Sequence, residues 1–317
     1  MKQIAIIGAG NWGTALAIVA ARAGHNVSLW ARDPARINSP YANVAVTSDL
    51  KEALHDASMI LYAAPSHVAR ELLTAMSPLL SEPAIIVSVS KGIEIETGKR
   101  ISEIAKEVAG SAYPFVCLSG PSFAKEVVAG YPTAIVAASK DSAAARAVQN
   151  DLSFENLRIY TNSDVVGTEL GGSVKNVMAI AAGMTTGLGF GSNSVAALIT
   201  RGLAEITRLA RREGAQIETL MGLAGLGDLV LTCTGSLSRN RFVGEELGKG
   251  KTLAEITAGM NEVAEGINTA RAVKKLADRA GLDMPITNEV NAVLYDGKPA
   301  RDAVAELMSR PLREEIN

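Results

Sequence analysis

The sequence predicts an α/β fold, with an N-terminal Rossmann-like doubly wound sheet and a C-terminal all-α substrate domain. Short β-rich runs alternate with helical patterns from the first residue, which is typical of a parallel sheet with crossover helices. A glycine-rich turn directly follows the first apolar run. The strand signals stop near Asp164, after which the apolar spacing is that of helices. We therefore expect a dinucleotide-binding domain over residues 1–162 and a helical substrate-binding domain over residues 163–317.

Seven runs predict the strands of the first domain, and the segments between them predict its helices. The strand runs read KQIAII, NVSLW, SMILYA, AIIVSV, PFVCLSG, TAIVAAS and LRIYT. Residues typical of helix ends flank the helical segments, namely Ser48, Ser66 and Asp141 at the starts and Gly24, Gly110 and Gly130 at the ends. Ligands of such sheets bind at the carboxyl ends of the strands, so we expect the site in the loops there.

The first turn reads GAGNWG and places Gly8, Gly10 and Gly13 between an apolar strand and the start of a helix. In a G-x-G-x-x-G turn the first glycine permits the tight turn and the second lets the backbone approach a pyrophosphate. The third lets helix and strand pack closely. Alone the pattern is weak, because the chain contains 29 glycines. Its strand-turn-helix context favours dinucleotide binding over a purely structural turn.

The end of the second predicted strand, NVSLW, indicates which dinucleotide is bound. An acidic residue there would bind the ribose 2′-hydroxyl of NAD, whereas a cation suits the 2′-phosphate of NADP. The strand is followed by Ala31 and Arg32, with Asp33 one place later. Arg32 therefore favours NADP over NAD. The alternative is that Arg32 is a solvated loop residue and that Asp33 binds the ribose.

The composition restricts the partners and the compartment. The chain has a formal net charge of −2 and a pI near 6.0, which gives no electrostatic basis for binding nucleic acid or an anionic membrane. Cys117 and Cys233 match no metal-ligand spacing, so we expect no metal, and they are typical of reduced thiols rather than of a disulfide. We expect a cytoplasmic protein, with a homodimer as the default assembly.

Two stretches could be mistaken for export or membrane signals. The N-terminal residues combine an early lysine with an apolar run, as a signal peptide does, but three glycines and Asn11 interrupt that run. The low-charge stretch around Lys175 is a poor membrane span, because the glycines within residues 183–191 break its apolar continuity. We expect neither secretion nor a membrane span.

Lys175 is the only charged residue between Glu169 and Arg201, and it lies in the first predicted helix of the second half. Taken alone, it could be a lysine at an exposed helix edge. A ketone reductase, however, needs a proton donor for the oxygen on which charge builds as hydride arrives, and an ammonium whose pKa is lowered by burial suits that role. The predicted helices are DVVGTELGGSVKNVMAIAAGM, SVAALITRGLAEITRLARREG, SRNRFVGEELGKG, NTARAVKKLADRAG, PITNEVNAVLYDG and ARDAVAELMS.

Further polar candidates in the second half lie close together in the sequence. Asp228 follows Gly227 and precedes an apolar run, which makes it a candidate to orient or neutralise a nearby ammonium. Ser238, Arg239 and Asn240 open a predicted helix, and free N–H groups beside an arginine suit a phosphate. The alternative is that Ser238 only caps the helix.

In the first domain, Lys91, Gly120 and Ser122 lie just past predicted strand ends, where they would face the expected cleft. Loop lysines are usually solvated, so the position of Lys91 alone is weak evidence of a role. Together, the residues indicate a nicotinamide-linked reduction of a small phosphorylated carbonyl compound.

These motifs resemble the bacterial-type NAD(P)-dependent glycerol-3-phosphate dehydrogenase family nearly from end to end. The central and late motifs are far more specific than the glycine turn. The resemblance implies reversible reduction of dihydroxyacetone phosphate to sn-glycerol 3-phosphate with NAD(P)H, feeding glycerophospholipid synthesis. The stretches that carry it are GAGNWGTALA, SVSKGIE, LSGPSFAKEV, ELGGSVKNVMAIAAG, ALITRGLAE, GLAGLGDLVLTCTGSLSRNR, VAEGINTA and MPIT.

The resemblance also implies roles for individual residues. Lys175 would be the proton donor and acceptor toward the substrate's C2 oxygen, with Lys91 and Asp228 as further catalytic residues. The substrate site would be lined by Lys91, Gly120, Ser122, Lys175, Asp228, Ser238, Arg239 and Asn240. Besides the three glycines of the turn, the dinucleotide would contact Asn11, Trp12, Arg32, Lys91, Ala124, Arg239, Val263 and Glu265.

The chain departs from the family pattern after ARDP, where only ARINSPYANVAV precedes TSDLKEAL. Either this is a true deletion, which would trim the wall near the adenosine and affect cofactor preference, or a loop is missing from the sequence. Two other functions also stay open. One is a β-hydroxyacid or 6-phosphogluconate-type dehydrogenase, which pairs similar domains with a helix lysine. The other is a non-catalytic dinucleotide-sensing protein, which would leave Lys175 without a purpose.

Overall fold

The computed structural model describes residues 1–37, 41–80, 83–260, 264–312 and 314–315. Within these residues the N-terminal half forms an eight-stranded sheet of order β3-β2-β1-β4-β5-β6-β7-β8. The first six strands run parallel, as in a doubly wound Rossmann-like sheet. The strands are β1 (Gln3–Ile7), β2 (Asn26–Trp30), β3 (Val44–Thr47), β4 (Met59–Tyr62), β5 (Ile85–Ser88), β6 (Phe115–Ser119), β7 (Thr133–Ala138) and β8 (Leu157–Asn162).

Each predicted strand run contains a strand, and the structure differs from the sequence prediction at two places. The four-residue β3 is not predicted, because an edge strand this short has too little apolar alternation to stand out. The expectation of an all-parallel sheet is wrong at β6 and β7, which pair antiparallel. The helix between them has only five residues and rises about 7.5 Å, about half of a five-residue strand's ~16 Å, so it is too short to return the chain to the start of β6.

The helices of the first half match the predicted segments, but their ends only partly do. Asp141 caps its helix by accepting from the N–H groups of Ala143 and Ala144, as predicted. Ser48 is not a cap, because Asp49 takes that place, and the Ser66 side chain caps no helix. Gly24, Gly110 and Gly130 follow helix ends with positive φ, as predicted. The helices are α1 (Asn11–Arg22), α2 (Leu50–Leu54), α3 (Ala69–Met76), α4 (Ile101–Ala109), α5 (Ala124–Val128) and α6 (Ser142–Leu152).

The second half is helical in its described residues, and each predicted segment overlaps a helix. Three further helices, α9, α10 and α12, are too short for their apolar period to be read from the sequence. The last strand ends at Asn162 and α7 begins at Val165, while the domain bounds themselves stay a prediction. The helices are α7 (Val165–Gly187), α8 (Ser192–Arg212), α9 (Ile217–Met221), α10 (Asp228–Thr234), α11 (Arg239–Gly248), α12 (Leu253–Ala258), α13 (Glu265–Ala280), α14 (Pro285–Tyr295) and α15 (Ala300–Ser309).

The long helix α7 is the centre of the helical half. Of its 23 residues 20 are buried, which explains why the sequence there is almost free of charge. It crosses α11 in near backbone contact. A Cβ added at Gly183 would lie 2.0 Å from the carbonyl oxygen of Arg241, and one added at Gly244 would lie 1.9 Å from that of Ile180. No side chain larger than hydrogen fits at either glycine without moving the helices apart.

Two buried carboxylates fix the start of α7. Asp164 caps the helix by accepting from the N–H of Gly167 at 2.9 Å. Glu169 accepts from the N–H and the hydroxyl of Ser102 at 2.8 and 2.5 Å, and from Arg100 at 3.1 Å. Because Arg100 and Ser102 lie at the start of α4, Glu169 ties α7 to the sheet domain.

Apolar side chains cover both faces of the sheet, and a third apolar cluster surrounds α7. Cys117 and Cys233 are buried and unpaired with each other, as reduced thiols are. Among the described residues, no helix combines the length and the apolar character needed to cross a bilayer.

Candidate active site

The turn after β1 has the shape that a dinucleotide requires. Gly8 has a φ of +118°, and a Cβ there would lie 2.7 Å from the backbone nitrogen of Ala64. A Cβ at Gly13 would lie 1.9 Å from the carbonyl oxygen of Gly8, so α1 packs on the turn only because this residue has no side chain. A Cβ at Gly10 would meet no atom within 4 Å. The backbone at the start of α1 is therefore open to a ligand, and its N–H groups fit a pyrophosphate.

Lys175 lies in the middle of α7 and is buried, with 5% of its surface exposed, so the interpretation as an exposed edge lysine is wrong. Its ammonium forms an ion pair with Asp228 Oδ1 at 2.9 Å and donates to Thr232 Oγ1 at 2.5 Å. The Thr232 hydroxyl donates in turn to the carbonyl oxygen of Asp228 at 2.6 Å, so its oxygen faces the ammonium. These two contacts leave one N–H of the ammonium for a ligand.

Asp228 binds a second lysine from the sheet domain. Lys91 follows β5, and its ammonium lies 2.7 Å from Asp228 Oδ2 and donates to the carbonyl oxygen of Gly120 at 3.1 Å. One carboxylate, buried to all but 2% of its side chain, therefore pairs with two ammonium groups from different domains. The three groups together carry one net positive charge, which suits an anionic ligand. We call Lys91, Lys175 and Asp228 the buried charge cluster.

Glycines bring Asp228 close enough to Lys175. The five residues before α10 form a single π-helical turn, Leu223–Gly227. A Cβ at Gly171 of α7 would lie 2.8 Å from the carbonyl oxygen of Ala224, so α7 and the π turn approach each other only because Gly171 has no side chain. The turn ends at Asp228, the first residue of α10, with its side chain facing α7. The sequence GLAGLGD therefore sets the distance between carboxylate and ammonium.

Burial and charge act in opposite directions on Lys175. Burial lowers the pKa of its ammonium, the charge of Asp228 opposes this, and the second ammonium of Lys91 lowers the pKa as well, which together bring it to about 8. Burial likewise raises the pKa of the neighbouring Cys233 to about 12, so that thiol stays protonated. Lys175 is thus an acid that can lose and regain its proton near neutral pH.

A chain of amide hydrogen bonds runs from this cluster to the start of α13. Asn176 donates its side-chain amide to the carbonyl oxygen of Lys91 at 3.4 Å, and Asn240 donates to Asn176 Oδ1 at 2.9 Å. Asn240 Oδ1 accepts from the N–H of Gly266 at 2.9 Å. Because its side chain is committed to these contacts, Asn240 orients backbone and side chains around the cleft.

The start of α11 carries the predicted phosphate residues. Ser238 is buried and accepts from the N–H of Arg241 at 3.2 Å, so it caps the helix. Arg239 is exposed at the first position of α11, a ten-residue helix. Capping accounts for Ser238, and phosphate binding by this helix start stays a prediction.

The other predicted site residues lie mostly at the carboxyl edge of the sheet. Ser122 donates to the carbonyl oxygen of Gly120 at 3.1 Å, after β6, and Ala124 begins α5. Glu265, the first residue of α13, accepts from Ser66 in the loop after β4. Asn11 and Arg32 are exposed, Trp12 is half-buried, and Val263 and residues 38–40 of the short connection lie outside the described residues.

Sequence reasoning does not identify three residues that contact the predicted site. Thr232 lies four residues after Asp228, and this spacing places both on one helix face, so its role could have been inferred once Asp228 was chosen. Asn176 directly follows Lys175, but no local pattern reveals its partners. Ser66 is interpreted as a helix cap, yet its hydroxyl donates to Glu265, 199 positions away in the chain.

Comparison with known proteins covers both halves of the chain. Residues 3–145 match the N-terminal part, and residues 164–305 the C-terminal part, of NAD-dependent glycerol-3-phosphate dehydrogenase. The chain is 53% identical over 335 aligned positions to a glycerol-3-phosphate dehydrogenase (NAD(P)+) of Koribacter versatilis, covering 100% of this chain and 99% of that relative. It is 50% identical over 331 positions to one of Geobacter sp. (strain M21), with 99% of each covered.

A solved structure agrees with these matches. The crystal structure of glycerol-3-phosphate dehydrogenase from Coxiella burnetii superposes with a TM-score of 0.93 at 40% identity, covering 98% of this chain and 99% of that one. A hydroxyacid-type dehydrogenase and a non-catalytic sensing protein are therefore set aside. Both halves match one enzyme family, and the chain belongs to the NAD-dependent glycerol-3-phosphate dehydrogenases.

Proposed function

We propose that the protein catalyses the reversible reduction of dihydroxyacetone phosphate to sn-glycerol 3-phosphate with a nicotinamide dinucleotide, and that Lys175 is the proton donor and acceptor. The single observation that carries this proposal is the buried ammonium of Lys175, which is paired with Asp228, a carboxylate that also binds the ammonium of Lys91. The names of the relatives supply the substrate.

A nicotinamide dinucleotide held at the glycine turn would supply the hydride for the substrate's C2 carbon. Gly8, Gly10 and Gly13 would hold its pyrophosphate, since the turn is open at Gly10. Negative charge then develops on the C2 oxygen, and the free N–H of Lys175 donates a proton to it. In the oxidation direction the neutral amine of Lys175 takes that proton back.

The neighbours of Lys175 have separate tasks in this proposal. Thr232 and Asp228 each hold one N–H of the ammonium, so the third points in one direction. Asp228 favours the protonated amine and limits the fall of its pKa. Lys91 adds a second positive charge in the cleft, which favours the developing oxyanion.

The phosphate of the substrate would bind at the start of α11. The N–H groups at a helix start and the exposed Arg239 suit a phosphate dianion. The net positive charge of the buried charge cluster adds to this attraction. Gly120 and Ser122 would line the same site, because the carbonyl oxygen of Gly120 contacts Lys91 directly.

We propose NADP as the preferred dinucleotide, bound through Arg32. The side chain is exposed just past β2, where it is accessible to a ribose 2′-phosphate. Arg32→Ala is expected to weaken the binding of NADPH and to leave the binding of NADH nearly unchanged. Equal loss for both would argue for a general role of this loop, with Asp33 as the ribose ligand.

The remaining proposals rest on the family resemblance. We propose that the reaction supplies the glycerol phosphate backbone of glycerophospholipids and that the protein is a cytoplasmic homodimer. The two buried, unpaired thiols support a reducing compartment.

The experiment that tests the proposed function is an absorbance assay of NADH and NADPH oxidation with dihydroxyacetone phosphate, beside a panel of keto acids. We expect turnover with dihydroxyacetone phosphate only. Turnover of a keto acid in preference to it would contradict the proposed substrate.

A further inference from the structure

We propose that Ser66 is a positioning residue for dinucleotide binding, acting by holding Glu265 at the cleft between the two domains. The inference rests on the proposed function. The Ser66 N–H donates to Glu265 Oε1 at 3.1 Å, and the Ser66 hydroxyl donates to Glu265 Oε2. One residue of the sheet domain therefore holds both oxygens of a carboxylate at the start of α13.

The loop that carries Ser66 is also a wall of the glycine turn. Gly8 approaches this loop so closely that a Cβ there would lie 2.7 Å from the nitrogen of Ala64 and 2.8 Å from the carbonyl carbon of Ala63. Ser66 follows two residues later. A ligand seated on the glycine turn would therefore lie beside the loop that orients Glu265.

A phenol fixes the turn just before Ser66. Tyr62 is fully buried and donates its hydroxyl to the carbonyl oxygen of Pro65 at 2.9 Å. Burial raises the pKa of Tyr62, and the negative charge of Glu265 raises it further, so the phenol stays protonated and keeps donating. The position of Ser66 is thus set by its own domain before Glu265 binds to it.

Gly92 packs directly against Ser66 and Glu265. A Cβ at Gly92 would lie 2.1 Å from the Ser66 oxygen and 2.8 Å from Glu265 Oε2. Only 4% of Ser66 is exposed, so water screens its hydrogen bonds to the carboxylate very little. Gly92 directly follows Lys91, and the pair therefore packs against the backbone next to the buried charge cluster.

The other side of Glu265 is linked to the substrate side of the cleft. The next residue, Gly266, donates its N–H to Asn240, which continues through Asn176 to the carbonyl oxygen of Lys91. Loss of the Ser66 hydroxyl would leave Glu265 Oε2 without its donor. The half-buried carboxylate would then keep the Ser66 N–H at Oε1 and lose the contact that fixes Oε2, so it would turn more freely at the start of α13.

The test compares Ser66→Ala, Glu265→Ala and the double variant with the wild type. Ser77→Ala is the matched control, because its hydroxyl also makes a hydrogen bond within the sheet domain, donating to the carbonyl oxygen of Val108 at 3.0 Å. The measurements are the Kd of NADPH and of NADH by fluorescence titration, and kcat and KM with dihydroxyacetone phosphate. Thermal unfolding of each variant accompanies them.

We expect Ser66→Ala to raise the Kd of the preferred dinucleotide about tenfold, the effect of losing a hydrogen bond to a charged group. At saturating dinucleotide, kcat should stay within about twofold, because the buried charge cluster is intact. The double variant should bind like Glu265→Ala alone, since Ser66 acts through Glu265. Ser77→Ala should leave the Kd unchanged.

An unchanged Kd in Ser66→Ala, or additive effects of the two substitutions, would overturn the inference. Glu265→Gln gives a second test that leaves the loop intact. The Ser66 hydroxyl can rotate and accept from the new amide, so we expect a smaller rise in Kd than for Glu265→Ala, and an equal rise would also overturn it. Failure of the proposed function would give a different result from failure of this inference, because the wild type itself would then not oxidise NAD(P)H with dihydroxyacetone phosphate.

Discussion

Two clusters of charged side chains have similar internal distances and opposite surroundings. In the buried charge cluster, Asp228 lies 2.7 Å from Lys91 and 2.9 Å from Lys175. On the surface of the sheet domain, Arg70 lies 2.8 Å from Glu94 and 3.2 Å from Glu107. Lys99 adds a further contact to Glu107, and we call these four residues the surface charge cluster.

The two clusters differ in what their contacts do to the pKa values. On the surface, hydrogen bonds with Lys99 and Arg70 lower the pKa of Glu107, and those with Glu94 and Glu107 raise the pKa of Arg70, so both Glu107 and Arg70 stay charged. In the buried charge cluster, the effect of burial on the pKa of Lys175 is larger than the opposite effect of pairing with Asp228, so the pKa falls. Pairing alone therefore maintains charge, whereas pairing under burial produces a group that can exchange its proton near neutral pH.

Removal of the buried ammonium should have the largest effect. Lys175→Ala, and the more isosteric Lys175→Met, should lower kcat about 10²- to 10⁴-fold, because no group is left to protonate the C2 oxygen. The Kd of NADPH, measured by fluorescence, should stay nearly the same and shows that the fold is intact. Near-normal turnover in both variants would remove Lys175 from the mechanism.

Neutralising Asp228, the carboxylate shared by the two lysines, should have the second-largest effect on activity. Asp228→Asn removes the charge that favours the ammonium, so the pKa of Lys175 should fall further, and the loss in reduction at neutral pH should approach about tenfold per unit once that pKa lies below the pH of the assay. The pH dependence of kcat/KM measures this shift. Glu94→Gln in the surface charge cluster is the matched control, and a similar loss there would contradict the importance of burial.

Substitution of Arg239 tests whether an exposed cation also contributes to the reaction. Arg239→Ala should raise the KM for dihydroxyacetone phosphate about 10- to 100-fold, through lost hydrogen bonds to a charged phosphate, with a smaller change in kcat. Steady-state kinetics at saturating NADPH measures both. If KM is unchanged, the start of α11 is merely a capped helix end.

The pH profile of the wild type should follow Lys175 in opposite senses for the two directions. Reduction needs the ammonium, so its kcat/KM should fall as pH rises through about 8, by about tenfold per unit beyond that value. Oxidation needs the amine and should rise through the same pH. Profiles with equal slopes in both directions would exclude this group as the titrating acid.

The surface charge cluster should give the smallest effect. Arg70→Ala breaks its contacts with Glu94 and Glu107 in a solvated setting, and the melting temperature should change by less than about 2 °C with kcat unaffected. Calorimetry with and without added salt measures this. A larger, salt-independent loss would mean that the contrast between the two clusters is overstated.

The sequence predicts the parts of this fold that depend on local pattern. The glycine turn, the alternation of strands and helices, and the low charge around Lys175 are read from neighbouring residues. The strand β3 and the π turn before Asp228 are not, because one is too short for periodicity and the other depends on close approach to Gly171. The antiparallel β7 depends on the length of α5, which the sequence does not fix to within a turn.

The residues of the predicted site likewise divide into those that a local pattern reveals and those that depend on contacts between distant elements. Position after a strand identifies Lys91 as a candidate, isolation in a low-charge helix identifies Lys175, and its place between Gly227 and an apolar run identifies Asp228. The resemblance assigns their roles. Their sharing of one carboxylate is a contact between separate elements, which no local pattern contains. The contact of Ser66 with Glu265 is non-local in the same way, and the local cap signal predicts the wrong partner.

The crossing of α7 and α11 limits how this protein could be redesigned for other substrates. With backbone touching backbone at Gly183 and Gly244, the spacing between the helices is already at its minimum. Substitution at either glycine can only widen the gap between the helix that carries the proposed proton donor and the one that begins at Arg239. Engineering through this crossing can therefore lengthen the reach between carbonyl and phosphate, for a longer phosphorylated ketone, but cannot shorten it.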